Sequence, residues 1–358
     1  MEKQIHCEKI RSEHSGEVAA AIEITRGSIS VTLYDIRLSR RIGRAVTYGF
    51  SVTAENVLEE LCGLMLRALG GTGVRACCVK SAAIAAPIFA AFRLEETLSA
   101  AALMLSPEAE LCIIPALSLK YDGRFAASLA AAPVEEGVLS ALIDDSFRAG
   151  IYHGGELLCA SFDLSGAFSG AALESGMPAE NGAVDEVYCE NDGTICYCVV
   201  CDSESRGIAP SGALAAASLM LERGAIDSDG IMTDRDLFYI GEDLYVSQSD
   251  IRAIQSDKAR TAAALELLSG RFPAVSEVYL SGEPFAARGA EHLEKLGGIP
   301  HGIPAVHSAR NSVEQGLINL LTEDGAWERL NDKMCRFRDI SDEISDDLGS
   351  LYIKNLAF

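Results

Sequence analysis

The sequence predicts an α/β protein of two lobes, each a mixed sheet flanked by helices. Three observations carry this. A meander of short alternating segments opens near residue 18 and a second of the same kind near residue 138, which implies an internal duplication. Helical periodicity dominates the chain after each meander. The length of 358 residues, 49% of them apolar and only one a Trp, suits close helix–sheet packing and favours two lobes over one.

The elements follow in order. Residues 1–17 read as a polar leader, 18–135 as the N-terminal lobe and 136–358 as the C-terminal lobe. From Val18 the chain reads as a hairpin-rich sheet, with Ile29, Val31 and Leu33 alternating. Asn56 precedes VLEELCGLMLRAL, an amphipathic helix ending near Gly70-Gly71. The Ala-rich run from Ser81 to Leu105 is expected to be helical around Pro87, 111–117 to be a buried strand, and Phe125 to Ala132 a helix. Pro133 and its acidic neighbours mark the lobe boundary. From Val138 the order is strand, turn, strand, the tight Gly154-Gly155 turn, strand. Helices at 211–223, 250–269 and 286–296 alternate with the strand VSEVYLSG. Ser249 and Asp250 sit where an N-cap accepts backbone N–H bonds, and Ile251, Ile254, Ala259, Ala262, Leu265 and Leu268 form a buried stripe. The tail ends in a helix with Leu351, Ile353, Leu356 and Phe358 apolar.

Composition excludes several classes of function. A net charge of −22 repels phosphate backbones, so no nucleic-acid partner is expected. The longest apolar patch, Ser81 to Phe92, is too short for a membrane span, and from the charged opening residues no secretory segment is expected. A cytoplasmic protein is expected, with its eleven cysteines mostly reduced. Cys189, Cys196, Cys198 and Cys201 nominally supply four thiolates to zinc or an iron–sulfur centre. The turn signal Asn191-Asp192-Gly193 between them favours a hairpin carrying small thiols, so no metal is assigned. His301 and His307 lie in a Gly/Pro loop and stay unassigned.

The wording of VSQSDIRAIQSDKARTAAALELL, followed by VSEVYLSGEPFAARGAEHLEKLGGIP, resembles the reductive activators of corrinoid proteins, members of the ASKHA superfamily of actin, sugar kinases and Hsp70. SFDLSGAFSGAALESGMPAENGAV fits the same family at Phe168, Gly170, Gly176, Met177, Ala179, Gly182 and Ala183, with Ser169 in place of a glutamate. Asn311-Ser312 and Gly316 match a late loop-to-helix turn. The resemblance implies a two-lobed, actin-like (RNase H-like) fold with ATP and Mg between the lobes. It places a nucleotide cleft at Glu23, Thr25, Arg26, Ser28, Asp144, Ser146, Arg148, Ser211, Gly212 and Gly282, with Glu23 and Asp144 as the catalytic candidates.

That cleft is degenerate against the family's pattern. Where the family has Asp-Ile-Gly-Thr-Thr-Thr this chain has Glu23-Ile24-Thr25-Arg26-Gly27-Ser28, so a β-branched residue replaces the first glycine. Arg26 either holds a phosphate bidentately or pairs with a nearby carboxylate, and the lost glycine favours the second. In the second loop Asp144 is retained, but Ser146 replaces glycine, Phe147 replaces threonine, and Arg148 follows. Ser211 and Gly212 match a Gly-x-x-Gly-Ser-Gly loop with Pro210 in its middle, and the adenosine-side glycine pair reads Gly282-Glu283.

ATP hydrolysis is therefore not expected, and the implied role is a binding or regulatory partner in corrinoid-dependent methyl transfer. The implied partner is a corrinoid protein or a related methyltransferase component, with a homodimer also open. The alternative is an ATP-dependent activator. Full-length activators carry a plant-type ferredoxin domain. No C-x4-C-x2-C spacing occurs here and the leader is too short for a domain, so electrons would come from a separate ferredoxin.

Overall fold

Both meanders form in the computed structural model, which describes residues 4–9, 14–25, 27–48, 51–91, 94, 109–131, 135–233, 236–285, 288–303, 305–309 and 311–358. The chain divides into two compact units, Met1–Pro133 with Ser312–Cys335, and Val134–Asn311 with Arg336–Phe358. The segment 312–335, which the sequence pattern leaves with the C-terminal lobe, thus counts with the first unit.

The first unit is built on a sheet of β1 (Gln4–Lys9), β2 (Val18–Ile24), β3 (Ile29–Asp35), β4 (Arg40–Tyr48), β5 (Val79–Ala85) and β6 (Glu110–Ile113), in the order β1-β4-β3-β2-β5-β6. β2, β3 and β4 are antiparallel, while β5 runs parallel to β2 and β6 parallel to β5. Part of the expected polar leader is itself a strand, since β1 pairs antiparallel with β4 from Gln4 opposite Tyr48 to Lys9 opposite Gly43. Val18 to Ile22 are buried without alternation, as a central strand covered on both faces requires.

The Ser81–Ala85 run, expected to be helical, is strand β5. Alanine favours helices, but Ala82 and Ala83 lie buried between two parallel neighbours, and sheet pairing overrides that weak preference. The rest of the expected helix falls almost wholly outside the described residues. α1 (Val57–Thr72) buries Val57, Leu61, Leu64, Met65 and Ala68 at helical spacing. It stops at Gly73, whose φ of 76° lets its N–H reach the Leu69 carbonyl. α2 (Gly123–Leu129) starts at Asp122, whose carboxylate accepts the Phe125 N–H at 3.0 Å.

The second unit repeats the plan. β7 (Val138–Ile143), β8 (Ser146–His153) and β9 (Glu156–Asp163) form the meander. An inserted sheet of β10 (Ala183–Cys189), β11 (Ile195–Val199) and β12 (Gly207–Ile208) leads into α3 (Pro210–Glu222). The hairpin β13 (Leu237–Tyr239) and β14 (Tyr245–Ser247) precedes α4 (Gln248–Arg271), β15 (Glu277–Ser281), α5 (Gly289–Lys295) and β16 (Ala305–Ala309). α6 (Ser312–Thr322) and α7 (Ala326–Met334) then belong to the first unit, before β17 (Phe337–Asp339) and α8 (Ser341–Lys354) close the second. The large sheet here runs β16-β15-β7-β8-β9-β17, with β15 parallel to β7 and β16 parallel to β15. Three antiparallel strands followed by two parallel ones on the far side of the first therefore recur in both units, which is the duplication in structural form.

The cap of α4 lies earlier than Ser249. Ser247 is the N-cap, and a capping box joins its hydroxyl to the Asp250 N–H and the Asp250 carboxylate to the Ser247 N–H. Ser249 donates instead to Glu174 at 2.7 Å.

Candidate functional site

The first loop closes the β2–β3 hairpin. The Thr25 N–H donates to the Ser28 carbonyl at 2.8 Å. Thr25 Oγ1 accepts the N–H groups of Gly27 at 3.2 Å and Ser28 at 2.9 Å, and shares a hydrogen bond with Ser28 Oγ at 2.9 Å. The β-branched residue that replaces glycine therefore consumes the amides a phosphate would seek. Glu23, paired across the ladder with Ser30, accepts from Arg124 Nε at 3.1 Å and lies 3.0 Å from its Nη2. Arg26 lies outside the described residues.

Local packing explains how Arg124 arrives there. It sits in the first turn of α2, and the preceding Gly123 lies so close to Ile114 that a Cβ would come within 2.4 Å of its carbonyl oxygen. Glycine at 123 lets the helix start press against the strand ends. Sequence reasoning missed Arg124 as a site residue. The Asp122-Gly123 pair marks a helix start, but a partner 101 residues away leaves no local signal.

The second loop joins β7 to β8. Asp144 N–H donates to the Ser146 carbonyl at 3.1 Å, and Asp144 Oδ1 accepts the Ser146 N–H at 3.2 Å. Arg148 Nη2 donates to Asp144 Oδ2 in a short charge-assisted bond, with Arg148 only 5% exposed. Phe147 is expected where a hydroxyl would meet phosphate. It faces the other way, fully buried in the core with its ring 6.3 Å from that of Phe162, because successive strand residues point to opposite faces.

Gly282, at φ 119°, sets the third loop against the second, since a Cβ there would lie 2.0 Å from the Ile143 carbonyl oxygen. Glu283, which stands for the second glycine of the adenosine-side pair, is engaged with the fold, where its Oε2 accepts the Ala179 N–H at 3.2 Å. Gly212 brings the start of α3 onto β10, where a Cβ would sit 2.1 Å from the Val184 carbonyl oxygen. Ser211 beside it is buried, and its hydroxyl has no hydrogen-bond partner among the described residues. Asp144, Ser146, Arg148 and Gly282 are thus gathered at one end of the second unit's sheet, and Glu23, Thr25 and Ser28 at the corresponding hairpin of the first.

The cysteine-rich segment is the expected hairpin. Tyr188 pairs with Cys196 and Glu186 with Cys198, around a turn whose Gly193 has φ 90°. Cys189 Sγ accepts from Arg223 Nη1 at 2.7 Å. Among the described residues no group of three or more His, Cys, Asp or Glu side chains is placed to hold a metal ion, and no helix is long and apolar enough to cross a membrane.

Comparison with known proteins agrees with this architecture. Among solved structures the chain is similar to a reductive activator for corrinoid, iron-sulfur protein, with a TM-score of 0.79 and 16% identity over 97% of this chain and 67% of that one. At that identity the likeness shows the fold. The ethanolamine utilization protein EutJ from Carboxydothermus hydrogenoformans is 12% identical over 84% of this chain and 88% of its own, with a TM-score of 0.41. A putative N-acetylmannosamine kinase from Listeria monocytogenes is 15% identical over 88% of this chain and 98% of its own, also at 0.41. Those two scores are too low to add to the argument. No match was found among curated proteins. Residues 149–358 match the family described as the C-terminal domain of RACo, the ASKHA domain. Because that match takes in more than half of the sequence, the chain belongs to this ASKHA family of reductive activators of corrinoid proteins.

Proposed function

We propose that this chain is a divergent corrinoid-activator protein that does not hydrolyse ATP and acts as a binding or regulatory partner in corrinoid-dependent methyl transfer in the cytoplasm. One observation carries the reading. In each unit the loop acid that would orient a metal–nucleotide is already held by a guanidinium of that unit, Glu23 by Arg124 and Asp144 by Arg148. The amides of Gly27, Ser28 and Ser146 are likewise occupied by neighbouring side-chain oxygens. These residues do not fit Mg²⁺ and a triphosphate, which need free carboxylates and convergent N–H donors. The family supports the choice of partner, since the similar activator is named for a corrinoid, iron-sulfur protein.

A second reading has its own support. Glu23 and Asp144 keep acidic chemistry, and arginine can stabilise charge on a transferring phosphoryl group. Under it, the chain is an ATP-dependent activator fed by a separate ferredoxin, with Glu23 and Asp144 catalytic.

Phosphate release with Mg²⁺ and ATP, with and without a corrinoid protein, separates the two. Losing one preorganised contact costs on the order of 10²–10³ in rate, so turnover at background level is expected. Turnover that vanishes in Glu23→Ala and Asp144→Ala would establish the second reading. Co-purification and sedimentation of the chain with a corrinoid protein test the partner, and sedimentation of the chain alone tests a homodimer.

A further inference from the structure

One buried cation takes no part in the loops above. Lys258 on α4 is fully buried, and its Nζ donates to the carbonyl oxygens of Asn355 at 2.7 Å and Ala357 at 2.5 Å. The Phe358 ring centroid lies 5.2 Å from the same nitrogen. Within the segment after α8, the Asn355 N–H donates to the Leu351 and Tyr352 carbonyls at 3.0 and 3.1 Å, the Leu356 N–H to the Ile353 carbonyl at 3.3 Å, and Asn355 Nδ2 to the Leu351 carbonyl at 2.9 Å, all back onto α8 itself. Two further bonds reach beyond α8. The Phe358 N–H donates to the Ser228 carbonyl at 2.8 Å, and Asn355 Nδ2 donates to Glu266 at 3.2 Å. The Phe358 ring packs at Gly230, where a Cβ would come within 3.0 Å of it.

The neighbouring residue on α4 plays the complementary part. Asp257, also fully buried, accepts the N–H groups of Ser165, of Ala167 at 2.8 Å and of Phe168 at 3.2 Å. Consecutive residues of one helix therefore hold the tail and the loop after β9, all within the second unit.

We propose that Asn355–Phe358 is a releasable strap seated by Lys258, that its docking is coupled through α4 to the Ser165–Phe168 loop, and that it tightens as pH rises. A buried ammonium solvated by two main-chain carbonyls and an aromatic face is costly to hold, and a segment whose backbone bonds run mostly to its own helix can leave the rest of the unit without breaking them. Burial lowers Lys258 from 10.5 to about 8, and release returns it to water. Between those values the released state binds more protons, so docking gains with rising pH and is insensitive to this group below about 8. The other charged groups on the packed elements are Asp250, Arg252, Asp257, Arg260, Glu266 and Arg271 on α4, Asp342, Glu343, Asp346, Asp347 and Lys354 on α8, Asp227 and Asp229 in the turn under Phe358, and Glu294 and Lys295 before Gly298, where a Cβ would come within 3.0 Å of the lysine stem.

Hydrogen exchange of the full chain, corrected for intrinsic rates, tests this at pH 7 and 9.5. Protection of residues 355–358 should be roughly tenfold or more greater at pH 9.5. In Lys258→Met that protection should fall and lose its pH dependence, with faster exchange at 165–168. Phe358→Ala leaves the lysine in place and should also speed exchange in both segments, which keeps the test sound if Lys258→Met fails to fold. Equal protection of the wild-type tail at the two pH values, or a 165–168 loop indifferent to both variants, overturns the proposal.

Discussion

Arg148 illustrates how much one side chain decides. Its guanidinium is nearly excluded from water and meets the carboxylate of Asp144 four residues earlier. Replacing it with Ala takes that guanidinium away from a carboxylate in a half-buried hairpin, and breaking such a pair from one side costs about 3 kcal/mol. Thermal melting of Arg148→Ala should show that loss, with Asp144→Asn added to the same chain recovering part of it. A melting temperature equal to the wild type's would remove the pair from any structural role. Much at this scale is legible in the sequence: the loss of glycine at Thr25 and Ser146 and the arrival of an arginine beside Asp144 can all be read along the chain. Which atoms they engage is not. Phe147 reads as a loop-face residue because a substitution pattern does not carry the strand's phase, and a shift of one residue moves a ring from solvent to core.

Among the elements, α4 starts at a capping box shared by Ser247 and Asp250. Ser247→Ala removes one arm of the capping box and should destabilise the protein by about 1 kcal/mol, read from chemical denaturation. Ser249→Ala should cost less, because its hydroxyl bonds to the exposed Glu174 rather than to the helix backbone. The buried stripe of this helix is readable from its spacing, since Ile251, Ile254, Ala259, Ala262, Leu265 and Leu268 are all buried. Strand β5 is not. An alanine-rich run satisfies helix and central strand alike, and only the parallel neighbours β2 and β6 decide between them.

At the level of the whole molecule, the two sheets share the order of five strands and differ in the sixth, β1 running antiparallel to β4 and β17 parallel to β9, while the chain is interleaved between the units. α6 is seated in the first unit by its own chemistry. Gly316 lies where a Cβ would meet the Ala127 carbonyl oxygen at 1.8 Å, Asn319 donates to the Ala130 carbonyl at 3.0 Å, and Glu314 pairs with Arg41 and Arg44 at 3.4 Å each. A fragment of residues 134–358 should therefore carry α6 and α7 without their seat. Fast hydrogen exchange across 312–335 and binding of an apolar dye are expected, against protection of the same residues in the full chain. Full protection in the fragment would show that the segment needs no partner from the first 133 residues.

The same interleaving sets an order of events during synthesis. The first sheet is translated early, but the helix that covers it, α6, follows about 200 residues later, roughly 10–40 s at ordinary elongation rates. Through that interval the nascent first unit leaves the ribosome with the seat for Gly316 and Glu314 uncovered, so its exposure to chaperones is written into the chain order itself.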